Sequence, residues 1–162
     1  MKASLFKYIY ILGIFFILFS CTEDDTSILI NDESSIEVED LTITGEILAL
    51  VNQHRQEIGL EALKRSTIAD ELAIEHTNFM IAQSEISHEY FNLRFQELQQ
   101  KVNAHGAGEN VASGYQDATS VMNGWLNSSG HKANIEGNYT HIGIAAIKDS
   151  QGRYYFTQLF YR

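Results

Sequence analysis

The chain has 162 residues, with 11 Lys and Arg against 21 Asp and Glu, one Cys and no Pro. That length accommodates one folded domain, and a net charge of −10 excludes nucleic acid as a partner, because a polyphosphate needs a basic face. The single Cys excludes an internal disulfide framework and an all-Cys zinc site, while 44% hydrophobic residues exclude global disorder.

Residues 1–20 carry Lys2 and Lys7 and then the apolar run Tyr8–Phe19, the form of a secretory signal. Tyr8 to Thr22 is 15 uncharged residues, about 22 Å of helix at ~1.5 Å per residue. This falls short of the ~30 Å hydrocarbon core of a bilayer. Leu18-Phe19-Ser20-Cys21 resembles a bacterial lipobox, which makes Cys21 the acylated N-terminus of the mature chain and its membrane attachment.

Residues 21–42 follow as an acidic tether. From Thr22 to Thr42, eight of 21 residues are acidic and none is basic, so self-repulsion favours an extended segment. The acids just after Cys21 resemble the export signal of surface-displayed lipoproteins. The expected location is therefore the bacterial cell envelope, as an outer-membrane lipoprotein exposed at the surface.

The body, residues 43–162, holds 13 acids and 9 bases. Thr44 is the expected N-cap of a helix bearing Ile47, Leu50, Val51, His54 and Ile58, with Gly59 as its stop. Ser66 or Thr67 starts a second helix with Ile68, Ala69, Leu72, Ala73, His76, Phe79 and Met80 on one face. Phe91, Phe95 and Leu98 mark a shorter helix over Phe91–Lys101. A Gly-rich stretch, His105–Ala112, precedes a helix capped by Asp117 and carrying Val121, Met122 and Trp125. Tyr139–Lys148 and Arg153–Tyr161 then read as strands joined by the turn Asp149-Ser-Gln-Gly152. Helices followed by strands indicate an α+β domain with an antiparallel sheet.

Among the six histidines, His54 and His76 fall within helical patterns and read as packing or surface residues, His105 lies in the Gly-rich run and His141 in a strand. His88 and His131 stand at loop or helix-end positions, where a side chain can face a cleft. Glu109 enters a segment of small residues, and a buried carboxylate needs a partner. His88, Glu109 and His131 are thus the cleft candidates, supported by Asn110, Ser129 and Asn134. Two imidazoles and a carboxylate have the composition of a zinc site with one open position. The same three residues also suit a hydrogen-bonded network tying helices to sheet. A Ser129–His131–Glu109 triad is a third arrangement, whose geometry the spacing leaves open. No nucleophile elbow, phosphate loop, dinucleotide fingerprint or His-Glu-x-x-His helix occurs.

Six pieces occur in order: Asn52-Gln-His-Arg55, Ser87-His88, Gly108-Glu-Asn-Val-Ala112, Trp125 to Ile135, Tyr139-Thr-His-Ile-Gly143 and Tyr155-Phe-Thr-Gln-Leu-Phe160. Together they resemble the CAP superfamily (SCP domain) in its disulfide-free bacterial branch, over about residues 43–162. The resemblance implies an α-β-α sandwich and a central cleft of two His and two Glu that holds Zn²⁺ or another divalent cation. His88 and Glu109 match two of the four. Ser128 stands where the second Glu belongs, Asn138 where the second His belongs, and His131 is the third cleft residue of the bacterial pattern. With the tetrad incomplete, the expectation is a non-enzymatic module for a small lipid, a glycan or an envelope protein. The alternatives are a metal-assisted hydrolase of an envelope peptide or ester, with no catalytic residue assigned, and a purely structural or adhesive surface protein.

Overall fold

The computed structural model describes residues 32–162, with side chains from residue 43 onward. The signal, Cys21 and the first part of the tether lie outside the described residues. Five helices and four strands follow in the order α1 (Asp32–Glu57), β1 (Lys64–Arg65), α2 (Thr67–Gln83), α3 (Phe91–Val102), β2 (Ala107–Ser113), α4 (Ala118–Leu126), α5 (Ser129–Ile135), β3 (His141–Lys148) and β4 (Tyr154–Tyr161). Among these residues no helix is long and apolar enough to cross a membrane.

Local chemistry accounts for most boundaries. Ser66 caps α2 from an extended conformation, its hydroxyl accepting the Ala69 amide at 3.3 Å. Asp117 and Ser120 form a reciprocal capping box on α4. Asp149 Oδ1 accepts the amides of Gln151 and Arg153, each at 2.9 Å, and Gly152 supplies the positive φ that closes the β3–β4 hairpin. At the other end, α1 starts at Asp32 and not after Thr44, which lies inside the helix and is 4% exposed. The helix therefore begins within the stretch read as an extended tether.

The sheet order is β1-β3-β4-β2, with β1 parallel to β3 and the other two pairings antiparallel. Alternation along the strands divides two layers. Ile142, Ile144, Ala146, Phe156 and Phe160 face α1, α4 and α5, where Ile47, Val51, Val121, Trp125 and Ile135 complete the larger core. Ala145, Leu159 and Tyr161 face α2 and α3, packing on Ala69, Leu72, Ala73 and Leu98. The molecule is thus an α+β, α-β-α sandwich. The Gly-rich stretch forms most of the edge strand β2, in register from Ala107 opposite Tyr161 to Ser113 opposite Tyr155.

Candidate functional site

Because β2 is a strand, successive side chains point to opposite layers. Glu109 projects toward α2 and α3, and Asn110 toward α5. Glu109 is 6% exposed and is held by a two-pronged guanidinium: Arg94 Nε donates to Oε2 at 2.7 Å and Arg94 Nη2 to Oε1 at 2.8 Å. Arg94 rises from α3, and its Nη1 also donates to the Glu89 carbonyl at 2.8 Å. Burial pushes the Arg94 pKa down, against the opposing pull of Glu109.

His88 comes from the Ser84–Tyr90 loop, whose end residues both adopt left-handed φ. Its Nδ1–H donates to Glu109 Oε1 at 2.9 Å, and its side chain stays 53% exposed. A carboxylate only accepts, so the neutral ring keeps its proton on Nδ1 and a lone pair on Nε2. His76, on α2, is 3% exposed; its Nε2–H donates to the Ser87 carbonyl at 2.8 Å and lies 3.7 Å from Glu109 Oε1. Desolvation lowers the His76 pKa more than Glu109 raises it, and Arg94 and His88 push it further down.

The other side of β2 is an amide chain. Asn134 Nδ2 donates to the Glu109 carbonyl and to Asn110 Oδ1, both at 2.9 Å. Asn110 Nδ2 donates in turn to the His131 carbonyl at 3.1 Å and to Gln158 Oε1 at 3.0 Å. Both Asn side chains therefore lock α5 against β2. The half-buried His131 ring lines a cleft of about 290 Å³ with Ile86, Tyr115, Trp125 and Ser128. Desolvation lowers the His131 pKa, and the charge of nearby His88 lowers it further. A second groove, of about 330 Å³, runs between α2 and α3 past His76, Phe79, Tyr90 and Arg94.

The structure therefore joins His88 directly to Glu109, brings His131 within electrostatic reach of His88, and leaves Ser129 exposed on α5, with Ser128 lining the cleft in its place. The zinc set His88/Glu109/His131 does not fit. Both Glu109 oxygens are engaged by Arg94, and among the described residues no three His, Cys, Asp or Glu side chains are arranged to hold a metal ion. Sequence reasoning missed Arg94 and the role of His76. The available signal was a charge on the Phe91/Phe95/Leu98 stripe, three residues from Phe91 and four from Leu98.

The family model described as the cysteine-rich secretory protein family, CAP, matches residues 48–160. The chain is 35% identical over 119 residues to the uncharacterized membrane protein YlbC of Bacillus subtilis, covering 71% of this chain and 33% of that protein. It thus spans about a third of that relative's length. An extracellular protein containing a SCP domain from Bacillus anthracis superposes with a TM-score of 0.69 at 29% identity, over 80% of this chain and 43% of that one. An outer surface protein from Borrelia burgdorferi superposes with a TM-score of 0.68 at 22% identity, over 75% of this chain and 92% of that one, a likeness of fold.

Proposed function

The chain belongs to the cysteine-rich secretory protein (CAP) family, and from that premise we propose that it is a lipid-anchored, extracytoplasmic bacterial module that binds an envelope glycan without turning it over. The carrying observation is the His88–Glu109 hydrogen bond, which leaves the His88 Nε2 lone pair free on a half-exposed ring. His131 stands nearby on a cleft lined by Ser113, Tyr115 and Ser128. Such a cleft offers acceptors and hydroxyls to a hydroxylated ring, and its volume of about 290 Å³ suits one sugar at a time. Binding is favoured over hydrolysis because the buried Glu109 carboxylate is neutralised by Arg94 and, among the described residues, no activated nucleophile adjoins His88 or His131.

The lipid anchor rests on Cys21 at the end of its apolar run, and the outer-membrane and surface location on the acids that follow. The extracellular, membrane and outer-surface descriptions of the relatives agree with that placement.

The test uses the full chain in detergent micelles, titrated calorimetrically with the tetramer of N-acetylglucosamine. Saturable binding is expected, weakened about tenfold or more by His88→Ala and by His131→Ala, since each removes a hydrogen bond of ~1.4 kcal/mol. Equal heats for all three chains, or none, contradict the glycan reading; binding of phospholipid vesicles alone through the same two residues would reassign the cleft to lipid. In cells, Cys21→Ala should move the protein from the membrane to the soluble fraction, and retention would contradict the anchor.

A further inference from the structure

We infer that Arg94 is the resident cation of this site: its guanidinium stands where a metal ion would have to bind Glu109, and the cluster is complete without metal. The direction of each hydrogen bond sets this cluster apart from a metal site. A metal site presents lone pairs inward. Here the inward atoms are donors. Arg94 contributes Nε–H and Nη2–H, and His88 contributes Nδ1–H, all to the Glu109 carboxylate. The His76 Nε2 proton is directed at the Ser87 carbonyl, with that nitrogen 3.7 Å from Oε1. Neither nitrogen that faces Glu109 therefore has a lone pair to give a cation, although the separations resemble those of a metal site. Ligand atoms on a tetrahedral zinc lie about 3.3 Å apart, and Oε1 is 2.9 Å from His88 Nδ1 and 3.7 Å from His76 Nε2.

Charge points the same way. The side chains of Glu109 and Arg94 are only 2% and 9% exposed, so each is the other's replacement for water. One positive charge balances the carboxylate. A dication added beside the guanidinium would leave excess positive charge in a poorly solvated site, which is strongly unfavourable. Arg94 acts on the cleft through Glu109, and so it is a positioning residue. It holds the carboxylate so that His88 keeps its proton on Nδ1.

Thermal unfolding of the full chain, together with equilibrium dialysis against Zn²⁺, tests this inference independently of any glycan. Dialysis of wild type should show no zinc beyond that taken up by Glu109→Gln. Arg94→Met should lower Tm by about 10 °C or more. Adding Glu109→Gln to it should recover at least half of that loss, because the orphaned carboxylate is then removed. Arg94→Lys, which keeps the charge and loses the fork, should fall between wild type and Arg94→Met. One zinc per wild-type chain that disappears in Glu109→Gln would overturn the inference. So would equal destabilisation of Arg94→Met and the double variant. If Arg94→Met fails to fold, a folded double variant is the expected companion result, and an unfolded one counts against the inference.

Discussion

Gly143→Ala should prevent this domain from folding, or cost more than about 4 kcal/mol, the range reserved for severe core damage. Gly143 sits in β3 opposite Leu159 and faces α2. A Cβ there would lie closer than 3.0 Å to the Ala69 carbonyl and to the Asp70 amide nitrogen. All of these are helix backbone atoms at the start of α2, so no side-chain rotation relieves the overlap. Nor can α2 slide away. Asp70 Oδ1 accepts the Ile144 amide at 2.8 Å, and its carboxylate receives Arg65 Nε at 2.6 and 2.8 Å. Gly45→Ala is the internal control, because nothing lies within 4 Å of a Cβ on that helical glycine. It should leave Tm unchanged or raise it, as Ala stabilises helix interiors by roughly 0.5–1 kcal/mol. Soluble expression and thermal unfolding of the two variants measure this contrast directly. A Gly143→Ala Tm close to wild type would mean that β3 and α2 are not packed backbone to backbone.

Arg55→Met is expected to cost about 3–5 kcal/mol, or about 10–20 °C in Tm. Arg55 is 2% exposed and sits in the last turn of α1. Its Nε donates to the Glu61 carbonyl at 2.9 Å, and its Nη1 to the carbonyls of Ile135 and Gly137 at 2.7 and 2.9 Å. One guanidinium thus fixes both the α1–β1 connection and the α5–β3 connection. Met keeps the stem's packing and takes the guanidinium donors away from the Glu61 and Ile135 carbonyls, each costing ~1–3 kcal/mol if buried, while the Gly137 carbonyl keeps the Tyr139 amide at 2.8 Å. Lys would restore a charge but cannot span carbonyls arranged around a planar fork, so Arg55→Lys should recover only part of the loss. Denaturant titration of the three chains gives the values; a change within about 1 kcal/mol for Arg55→Met would show that water replaces the fork at no cost.

These two residues also mark what the sequence made legible. The hairpin could be read because β-branched and aromatic runs flank Asp149 and Gly152, whose chemistry dictates the turn. The helices α2 and α4 could be read from Ser66 and Asp117 with their apolar periods. By contrast, β2 carries Gly108 and small residues in place of strand formers. It is a strand because β4 pairs with it, and tertiary pairing overrides weak local preference. The seven residues of α5 are too few to display a period.

At the site, His88, Glu109 and His131 were identifiable as residue types, yet their partners depend on register. A shift of one residue in β2 would turn Glu109 from α3 to α5. Arg94 and Arg55 both follow apolar helix positions at spacings of three or four, and a charge on such a stripe implies a buried partner. Which partner it finds is decided by non-local packing. The zinc set does not fit for that reason: composition supplied the ligand types, and the fold paired Glu109 with a guanidinium.

His88, near the cleft that His131 lines, is a fixed hydrogen-bond acceptor oriented by Glu109 and, through it, Arg94. Long-range proton–nitrogen correlation spectra of the histidine rings, recorded on the full chain at about pH 8.5, test this most directly. In a neutral ring one nitrogen carries the proton and the other is bare, and these spectra tell the two apart. The predicted result is His88 protonated at Nδ1 and bare at Nε2, with the Nε2 signal moving when the N-acetylglucosamine tetramer is added. A His88 ring protonated at Nε2, or one whose signals ignore the sugar, would contradict the account.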